Sequence, residues 1–287
     1  METLFRWSKY VTDEQLDDWE TKLVMAEVAY TAEKLVNRKR WQLNSYATTR
    51  EAAVELQGRF GGGISELKPD HWQPSGEPDA GVLLRIRDQI IVTESKDEAI
   101  LAELRAENPE RTILSFPPQL AFGTGAHPTT AGCLRFLADF AGKQGDRPWR
   151  VLDLGCGSAI LAVAAAKLGA TEIVAVENDD MALDYARINA VAHDCSDRIE
   201  FIEADVLELI HDEALGRFDL IAANLFSDLL VQLFPSFPAR LADAGEVIVS
   251  GCLTSQVKAV TGTAAASGII LKDFLRRGKW VAARSVR

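Results

Sequence analysis

The chain has 287 residues, of which 47% are hydrophobic and 25% charged, and its net charge is −11. These values describe a globular protein with room for one large and one small domain. The negative charge argues against non-specific nucleic-acid binding, which needs a basic surface, and it is compatible with a basic protein substrate.

Two further global features limit the function classes. The four cysteines show no C-x-x-C spacing, so we expect neither a disulfide framework nor a metal site. No apolar run reaches the roughly 18 residues that a membrane span needs, and the first residues are too polar for a signal peptide. We therefore expect a cytoplasmic protein without membrane association.

The N-terminal third is predicted to hold an amphipathic helix and a small α+β domain. Apolar residues at spacings of three and four indicate a helix within residues 12–30, which we assign to a first segment, residues 1–36. The small domain, residues 37–105, has predicted strands at Arg40–Tyr46, Ile64–Leu67 and within Val82–Val92, and predicted helices at Thr49–Phe60 and Asp97–Arg105. A proline-rich linker is expected at residues 106–120, and a cofactor domain at residues 121–287.

The cofactor domain is predicted to alternate strands and helices and to end in two antiparallel strands. A short apolar strand leads into the glycine turn of Val151–Ala159 (VLDLGCGSA), followed by an alanine-rich helix and a second strand that ends at Glu177. The roughly 20 residues from Gly157 to Glu177 are typical of a nucleoside-binding βαβ unit. We expect the backbone at Gly155 and Gly157 to approach the ligand closely, and Glu177 to accept hydrogen bonds from ribose hydroxyls. Ala159 stands where a third glycine is usual.

Polar residues at the other strand ends favour S-adenosylmethionine over a dinucleotide. Asp153 would repel a pyrophosphate but suits the cationic amino-acid end of S-adenosylmethionine. Asp205 follows the third strand, where the adenine amine is expected, and Asn224 ends the fourth. We therefore predict an S-adenosylmethionine site, and a nicotinamide-dependent dehydrogenase is the disfavoured alternative.

Residues 120–130 (LAFGTGAHPTT) are predicted to form a mobile lid over this site. Two glycines flank Thr124, so the segment can swing. A lid next to the cofactor strand would shield the reacting methyl group and position the nucleophile. The alternative is that Thr129 and Thr130 only cap the next helix. His127 is a candidate base, although a role in orienting the loop is favoured.

This segment closely resembles the signature of the bacterial methyltransferases that modify large-subunit ribosomal protein eleven. The resemblance extends over roughly residues 112–257. Four further stretches carry it: DLGCGS at 153–158, KLGA at 167–170, ANL at 223–225 and SGCLTSQ at 250–256. A mitochondrial lysine methyltransferase that acts on the electron transfer flavoprotein β subunit looks similar in the same places.

The resemblance implies a Rossmann-like, seven-stranded class I methyltransferase sheet with S-adenosylmethionine as cofactor. In this family a small N-terminal domain recognises the substrate, and residues 37–105 are the candidate here. The resemblance implies cofactor contacts at Thr130, Gly155, Glu177 and Asn224, and lid residues at Phe122 and Thr124.

The expected reaction is attack by a neutral protein amine, from a lysine or an N-terminus, on the sulfonium methyl group. Asn224 is the candidate for holding the amine, through its side-chain oxygen or the adjacent carbonyl, and Phe122 and Thr124 complete the predicted catalytic set. No tyrosine follows as in the N-P-P-Y motif, which suits an aliphatic amine, and Phe226 is assigned to the core or the pocket wall. The other histidines, His71, His193 and His211, are expected at the surface.

Two alternatives stay open beside the ribosomal substrate. The chain could methylate a lysine of another protein, such as the electron transfer flavoprotein β subunit, or a small amine. It could also bind the cofactor without turnover, an interpretation suggested by Ala159 and by the unusual N-terminus.

Overall fold

The computed structural model describes residues 4–12, 15–26, 28, 30–34, 40–47, 49–67, 82–118 and 127–285. The chain divides into two compact units, residues 1–77 and residues 78–287. This division differs from the predicted boundaries after residues 36, 105 and 120.

The first unit is an antiparallel sheet with two helices, and it agrees with a small α+β N-terminal domain. Its strands are β1 (Leu4–Thr12), β2 (Thr31–Lys34), β3 (Arg40–Ala47) and β4 (Gly63–Leu67), in the order β2-β3-β1-β4, and its helices are α1 (Leu16–Met25) and α2 (Arg50–Phe60). Thr49 caps α2 by accepting a hydrogen bond from the Ala52 amide. Trp7, Leu23 and Leu43 form the fully buried centre of the core.

Strand β1 corrects the prediction for the N-terminus, which placed only a helix in residues 1–36. Residues 4–12 form a central strand of the sheet, and the helix begins only at Leu16. Along β1, Trp7 and Val11 are buried on the core side, whereas Tyr10 is exposed on the opposite side. The strand is stabilised by pairing with β3 and β4, which follow much later in the chain.

The second unit begins with a three-stranded sheet. It consists of β5 (Val82–Ile86), β6 (Ile90–Thr93) and β7 (Thr112–Ser115), and helix α3 (Glu98–Glu107) connects β6 to the parallel strand β7. The prediction of a linker over residues 106–120 is therefore wrong where β7 lies. Leu114 in β7 and the nearby Phe116 are fully buried. Pairing with β7 also places β5 and β6 in the second unit, whereas the prediction put them in the N-terminal domain.

A seven-stranded, mostly parallel sheet forms the centre of the second unit and confirms the predicted fold class. Its order is β10-β9-β8-β11-β12-β14-β13, and the last two strands are the predicted antiparallel pair. The strands are β8 (Arg150–Leu154), β9 (Glu172–Glu177), β10 (Ile199–Glu203), β11 (Phe218–Asn224), β12 (Leu241–Leu253), β13 (Leu271–Arg277) and β14 (Trp280–Ser285).

Helices cover both faces of this sheet and enclose two hydrophobic cores. The helices are α4 (Pro128–Ala141), α5 (Ile160–Lys167), α6 (Asp180–Ala192), α7 (Val206–Leu209), α8 (Ser227–Leu233), α9 (Phe237–Arg240) and α10 (Val257–Ala266). One core contains α4, α5 and α6 residues, and the other contains α8 and α10 residues. Pro235 and Pro238 divide the stretch that contains α8 and α9, because proline lacks the amide that a helix interior needs.

The parallel strands β8 to β12 all end on one edge of the sheet, which we call the C-terminal edge. Ligands of open α/β sheets bind outside this edge. The predicted site residues Asp153, Glu177, Asp205 and Asn224 lie in or directly after strands that end there.

Candidate functional site

The turn after β8 has the tight backbone conformation that its glycines allow. Gly155 and Gly157 have φ angles of 68° and 53°, in the left-handed region that glycine adopts without steric cost. The amides of Gly155 and Cys156 both donate to the Val176 carbonyl, at 2.9 Å. The turn is thereby held against the end of the neighbouring strand β9.

Glu177, the last residue of β9, is tied to the same turn. One carboxylate oxygen accepts a hydrogen bond from the Gly157 amide at 2.9 Å. The other accepts from the amides of Asn178 at 2.9 Å and Asp179 at 3.2 Å. The side chain is half-buried, so this carboxylate is held in one place at the C-terminal edge while part of it remains accessible.

Asp153 lies beneath the turn, at 1% exposure. Its carboxylate accepts a hydrogen bond from the Ala162 amide in α5 at 3.1 Å and so links β8 to the helix that follows the turn. Burial raises the pKa of Asp153 to about 7, with a smaller contribution from the charge of Glu177, against the opposing effect of the Ala162 hydrogen bond. Near neutral pH this group therefore exists in both protonation states.

Asn224 and Thr130 meet at the end of β11, although they are far apart in the sequence. The Asn224 amide nitrogen lies 3.4 Å from the hydroxyl of Thr130, which is fully buried in the first turn of α4. The Asn224 side-chain oxygen is also buried, and it has no hydrogen-bond partner among the described residues. Because burying an unpaired acceptor costs free energy, this oxygen is suited to a ligand that donates a hydrogen bond.

Leu225, directly after Asn224, is held between two glycines. A Cβ atom on Gly155 would lie 2.4 Å from the Leu225 side chain, and a Cβ on Gly251 would lie 2.2 Å from the Leu225 carbonyl oxygen. The Leu225 amide donates to the Ser250 carbonyl at 3.1 Å, so the pairing of β11 with β12 continues past the strand end. Close packing that only glycine permits therefore fixes the chain beside Asn224.

His127 is part of the support for α4 rather than an accessible base. It caps the helix by accepting from the Thr129 amide, its Nδ1 lies 2.7 Å from the Thr129 hydroxyl, and its ring packs edge-on against Trp280 at 4.8 Å. Burial lowers the pKa of His127, so the ring is neutral at pH 7. These contacts agree with the favoured role of this residue in orienting the loop.

Of the remaining predicted site residues, the structure describes Asp205 but not the two predicted lid residues. Asp205 is exposed and caps α7, and the adjacent Ala204 amide donates to the Glu177 carbonyl at 3.0 Å, so β10 ends beside β9. Phe122 and Thr124 lie outside the described residues. Among the residues that are described, no three histidine, cysteine or acidic side chains are grouped as a metal site.

His193 differs from its predicted surface position, and Phe226 agrees with only one of its two predicted positions, the pocket wall. His193 is buried at 6% exposure: its Nε2 accepts from the Ser115 amide at 3.1 Å, and its Nδ1 lies 2.7 Å from the Asn189 carbonyl oxygen, which joins β7 to α6. Ser115 is far away in the sequence and Asn189 contributes only its backbone carbonyl, so no local sequence pattern predicts these contacts. Phe226 is 74% exposed and is therefore not a core residue.

The close packing of Gly251 against Leu225 was not predicted. The signal that was available is Gly251 itself, a glycine inside the long strand β12, where glycine often marks a close approach of another backbone.

For the described part of the chain, no helix is both long and apolar enough to cross a bilayer.

Comparison with known proteins gives one family. A family model described as ribosomal protein L11 methyltransferase (PrmA) matches residues 18–287. Curated relatives with the name ribosomal protein L11 methyltransferase include one from Geotalea daltonii, 37% identical over 60% of this chain and 56% of the relative. Another, from Pelobacter propionicus, is 34% identical over 76% of this chain and 67% of the relative.

Structural similarity leads to the same family. A crystal structure of a ribosomal protein L11 methylase from Lactobacillus delbrueckii subsp. bulgaricus has a TM-score of 0.54 and 30% identity, covering 62% of this chain and 86% of that one. The chain spans about half the length of the first curated relatives it matches, 51% for one from Heliobacterium modesticaldum. Because the family model covers nearly the whole sequence, this chain belongs to the ribosomal protein L11 methyltransferase family.

Proposed function

We propose that this chain is an S-adenosylmethionine-dependent N-methyltransferase that transfers methyl groups to lysine, and to the N-terminal amine, of ribosomal protein L11. Family membership supports the choice of substrate, because the curated relatives carry that name. The observation that carries the chemistry is the buried, unpartnered oxygen of Asn224 at the C-terminal edge. A ribosomal substrate also agrees with the expected cytoplasmic location.

The residues around the glycine turn fit S-adenosylmethionine. Gly155 and Gly157 carry no side chains, so a ligand can approach their backbone closely, and their positive φ angles form the tight turn. Glu177 would accept hydrogen bonds from the ribose hydroxyls, and Asp205 would accept one from the adenine amine. Asp153 would attract the cationic amino group from beneath the turn.

When bound, S-adenosylmethionine supplies an electrophilic methyl group on a positively charged sulfur. The described residues then have one main task, which is to orient the amine. The Asn224 oxygen would accept an N–H of the neutral amine, so that the nitrogen lone pair faces the methyl group. Thr130 holds the Asn224 amide and thereby its orientation.

The amine must arrive without its extra proton. A lysine with a pKa near 10.4 is almost fully protonated at pH 7, and entry into a poorly hydrated site lowers that pKa. His127 is engaged by Thr129 and Trp280. We therefore assign proton release to solvent and not to His127, with Phe122 and Thr124 as the proposed lid residues that limit hydration.

We assign substrate recognition to the first compact unit. Its sheet exposes two tyrosines, Tyr10 and Tyr46, at 57% and 49%. Tyr46 pairs across strands with Arg6, so aromatic and polar groups share the side of the sheet opposite the buried Trp7. Exposed tyrosines are enriched in protein-recognition surfaces. No membrane or direct nucleic-acid partner belongs to this proposal.

The test uses purified chain, tritium-labelled S-adenosylmethionine and L11 purified from cells that lack its methyltransferase. We expect label on L11, and mass spectrometry should place it on lysine or the N-terminal amine. An extract of the same cells is tested in parallel. A labelled band other than L11 would retain the chemistry and replace the substrate, and absence of label despite measured cofactor binding would contradict the proposal.

A further inference from the structure

Phe226 is an exposed aromatic side chain beside the proposed acceptor site. Its side chain is 74% exposed, the largest such value among the large hydrophobic residues that the structure describes. Its backbone is fixed: its carbonyl accepts from the amides of Leu229 and Leu230, both at 3.1 Å, in the first turn of α8. A rigid base with an exposed ring is typical of a contact surface.

Alternation along β11 places Asn224, two residues before Phe226, on the α4 side of the sheet. Leu220 and Ala222 belong to the core under α4, whereas Ile221 and Ala223 belong to the opposite core. Asn224 continues the first series, because its amide contacts Thr130 of α4.

The alternation continues beyond the end of the strand. Leu225 packs on the core opposite α4, and its amide still pairs with β12. Phe226 has φ −59° and ψ 149°, values of the polyproline II region. Two residues span at most about 7 Å of chain, so the backbone of Phe226 lies within about that distance of Asn224, whose side-chain oxygen has no partner among the described residues.

The chemistry of this position suits a cation on an apolar stem. The face of an aromatic ring attracts ammonium groups, and methylated ammonium most readily, because it is weakly hydrated. The exposed carboxylate of Asp228, two residues further on, adds attraction for positive charge. A lysine side chain offers four methylenes for the ring and a nitrogen for Asn224.

We propose that Phe226 is a positioning residue that packs against the acceptor lysine and retains its methylated forms, so that one lysine receives successive methyl groups. This role rests on the proposed methyltransferase function. In each round the amine lone pair forms the N–C bond and the C–S bond electrons remain on sulfur. After the first and second rounds the new ammonium loses a proton to solvent, whereas the third round leaves a quaternary ammonium that carries no proton. Phe226 takes part in no bond change; it holds the mono- or dimethylated amine for the next round.

The experiment compares wild type with Phe226→Leu and Phe226→Tyr, using unmethylated L11 and mass spectrometry of the products. Leucine keeps the apolar bulk without the aromatic face, so we expect the ratio of trimethylated to monomethylated lysine to fall about ten-fold. Tyrosine keeps the aromatic face, so Phe226→Tyr should retain the wild-type ratio. Phe274→Leu is the matched control, an exposed phenylalanine on the edge strand β13.

A binding measurement separates this role from turnover. With S-adenosylhomocysteine present to block transfer, wild type should bind chemically dimethylated L11 more tightly than unmodified L11, and Phe226→Leu should lose that preference. Unchanged product ratios and unchanged preference in Phe226→Leu would overturn the role of Phe226 alone. Absence of transfer to L11 by wild type would overturn the proposed function and this role together.

Discussion

Two parts of the C-terminal edge are built differently. At the ends of β8 and β9, the carboxylates of Asp153 and Glu177 are bonded to backbone amides of the turn and of α5. At the end of β11, the Asn224 oxygen has no partner among the described residues and Phe226 is exposed. We call the first part, with Asp153 and Glu177, the cradle; its own contacts preorganise it, as a cofactor site requires. We call the second part, with Asn224 and Phe226, the acceptor part, because the Asn224 oxygen remains available to the substrate amine.

The largest expected effect concerns Gly251, which packs against Leu225 next to Asn224. Gly251→Ala would place a Cβ atom 2.2 Å from the Leu225 carbonyl at a φ of 90°. Overpacking and left-handed strain together should lower the free energy of unfolding by about 3 kcal/mol, measured by urea denaturation. Gly262→Ala is the control: no atom lies within 4 Å of its Cβ in α10, so stability should rise by about 0.5–1 kcal/mol. Equal stabilities of the two variants would contradict the close packing around Leu225.

Asn224→Ala tests the acceptor part. It should lower single-turnover methyl transfer about 100-fold, because the amine loses its orienting acceptor. The dissociation constant for the cofactor, measured by calorimetry, should stay near that of wild type. A variant that loses cofactor affinity but keeps its turnover would instead place Asn224 in the cradle.

Glu177→Gln tests the cradle. Loss of charge-assisted hydrogen bonds should weaken cofactor binding about 30-fold, while turnover at saturating cofactor stays near wild type. Glu172→Gln is the matched control, since Glu172 lies at the opposite end of β9 and pairs with Arg150. The cradle assignment fails if the two variants bind the cofactor equally well.

Asp153 gives the cradle a pH dependence. Because burial raises its folded-state pKa from 3.8 to about 7, the folded state binds the proton more tightly than the unfolded state. Its stabilising contribution is complete below pH 4 and is lost as the pH rises to about 7. Asp153→Asn should therefore flatten the fall in stability over this range, measured by urea denaturation at several pH values. An identical pH profile in wild type and variant would contradict the shifted pKa.

Ala159→Gly should have the smallest effect, and it should be stabilising. Ala159 has a φ of 61°, where a side chain is strained and glycine is not. Relief of that strain should raise the free energy of unfolding by about 1 kcal/mol, seen as a higher melting temperature. Ala165→Gly, inside α5, should have the opposite effect. A lower melting temperature for Ala159→Gly would show that the turn tolerates alanine without strain.

The cradle could be read from the sequence because its parts are local. The strand, the glycine turn, the helix and Glu177 follow one another within a single βαβ unit, and the period of each element identifies it. The structure confirms the seven-stranded sheet. The Gly157 amide donates to the Glu177 carboxylate, and the Gly155 amide donates to the carbonyl of the neighbouring Val176. Their roles toward the cofactor remain our proposals.

The sequence by itself determined the alternation of strands and helices, the glycine turn and the family signature, since these depend on neighbouring residues. Only the tertiary structure decided that residues 4–12 form a central strand, that β7 replaces a linker, and that His193 is buried. It also decided that Thr130 meets Asn224 and that Phe226 is exposed. Periodicity shows which face of a helix or strand is buried. Packing between segments far apart in the chain decides which element covers that face.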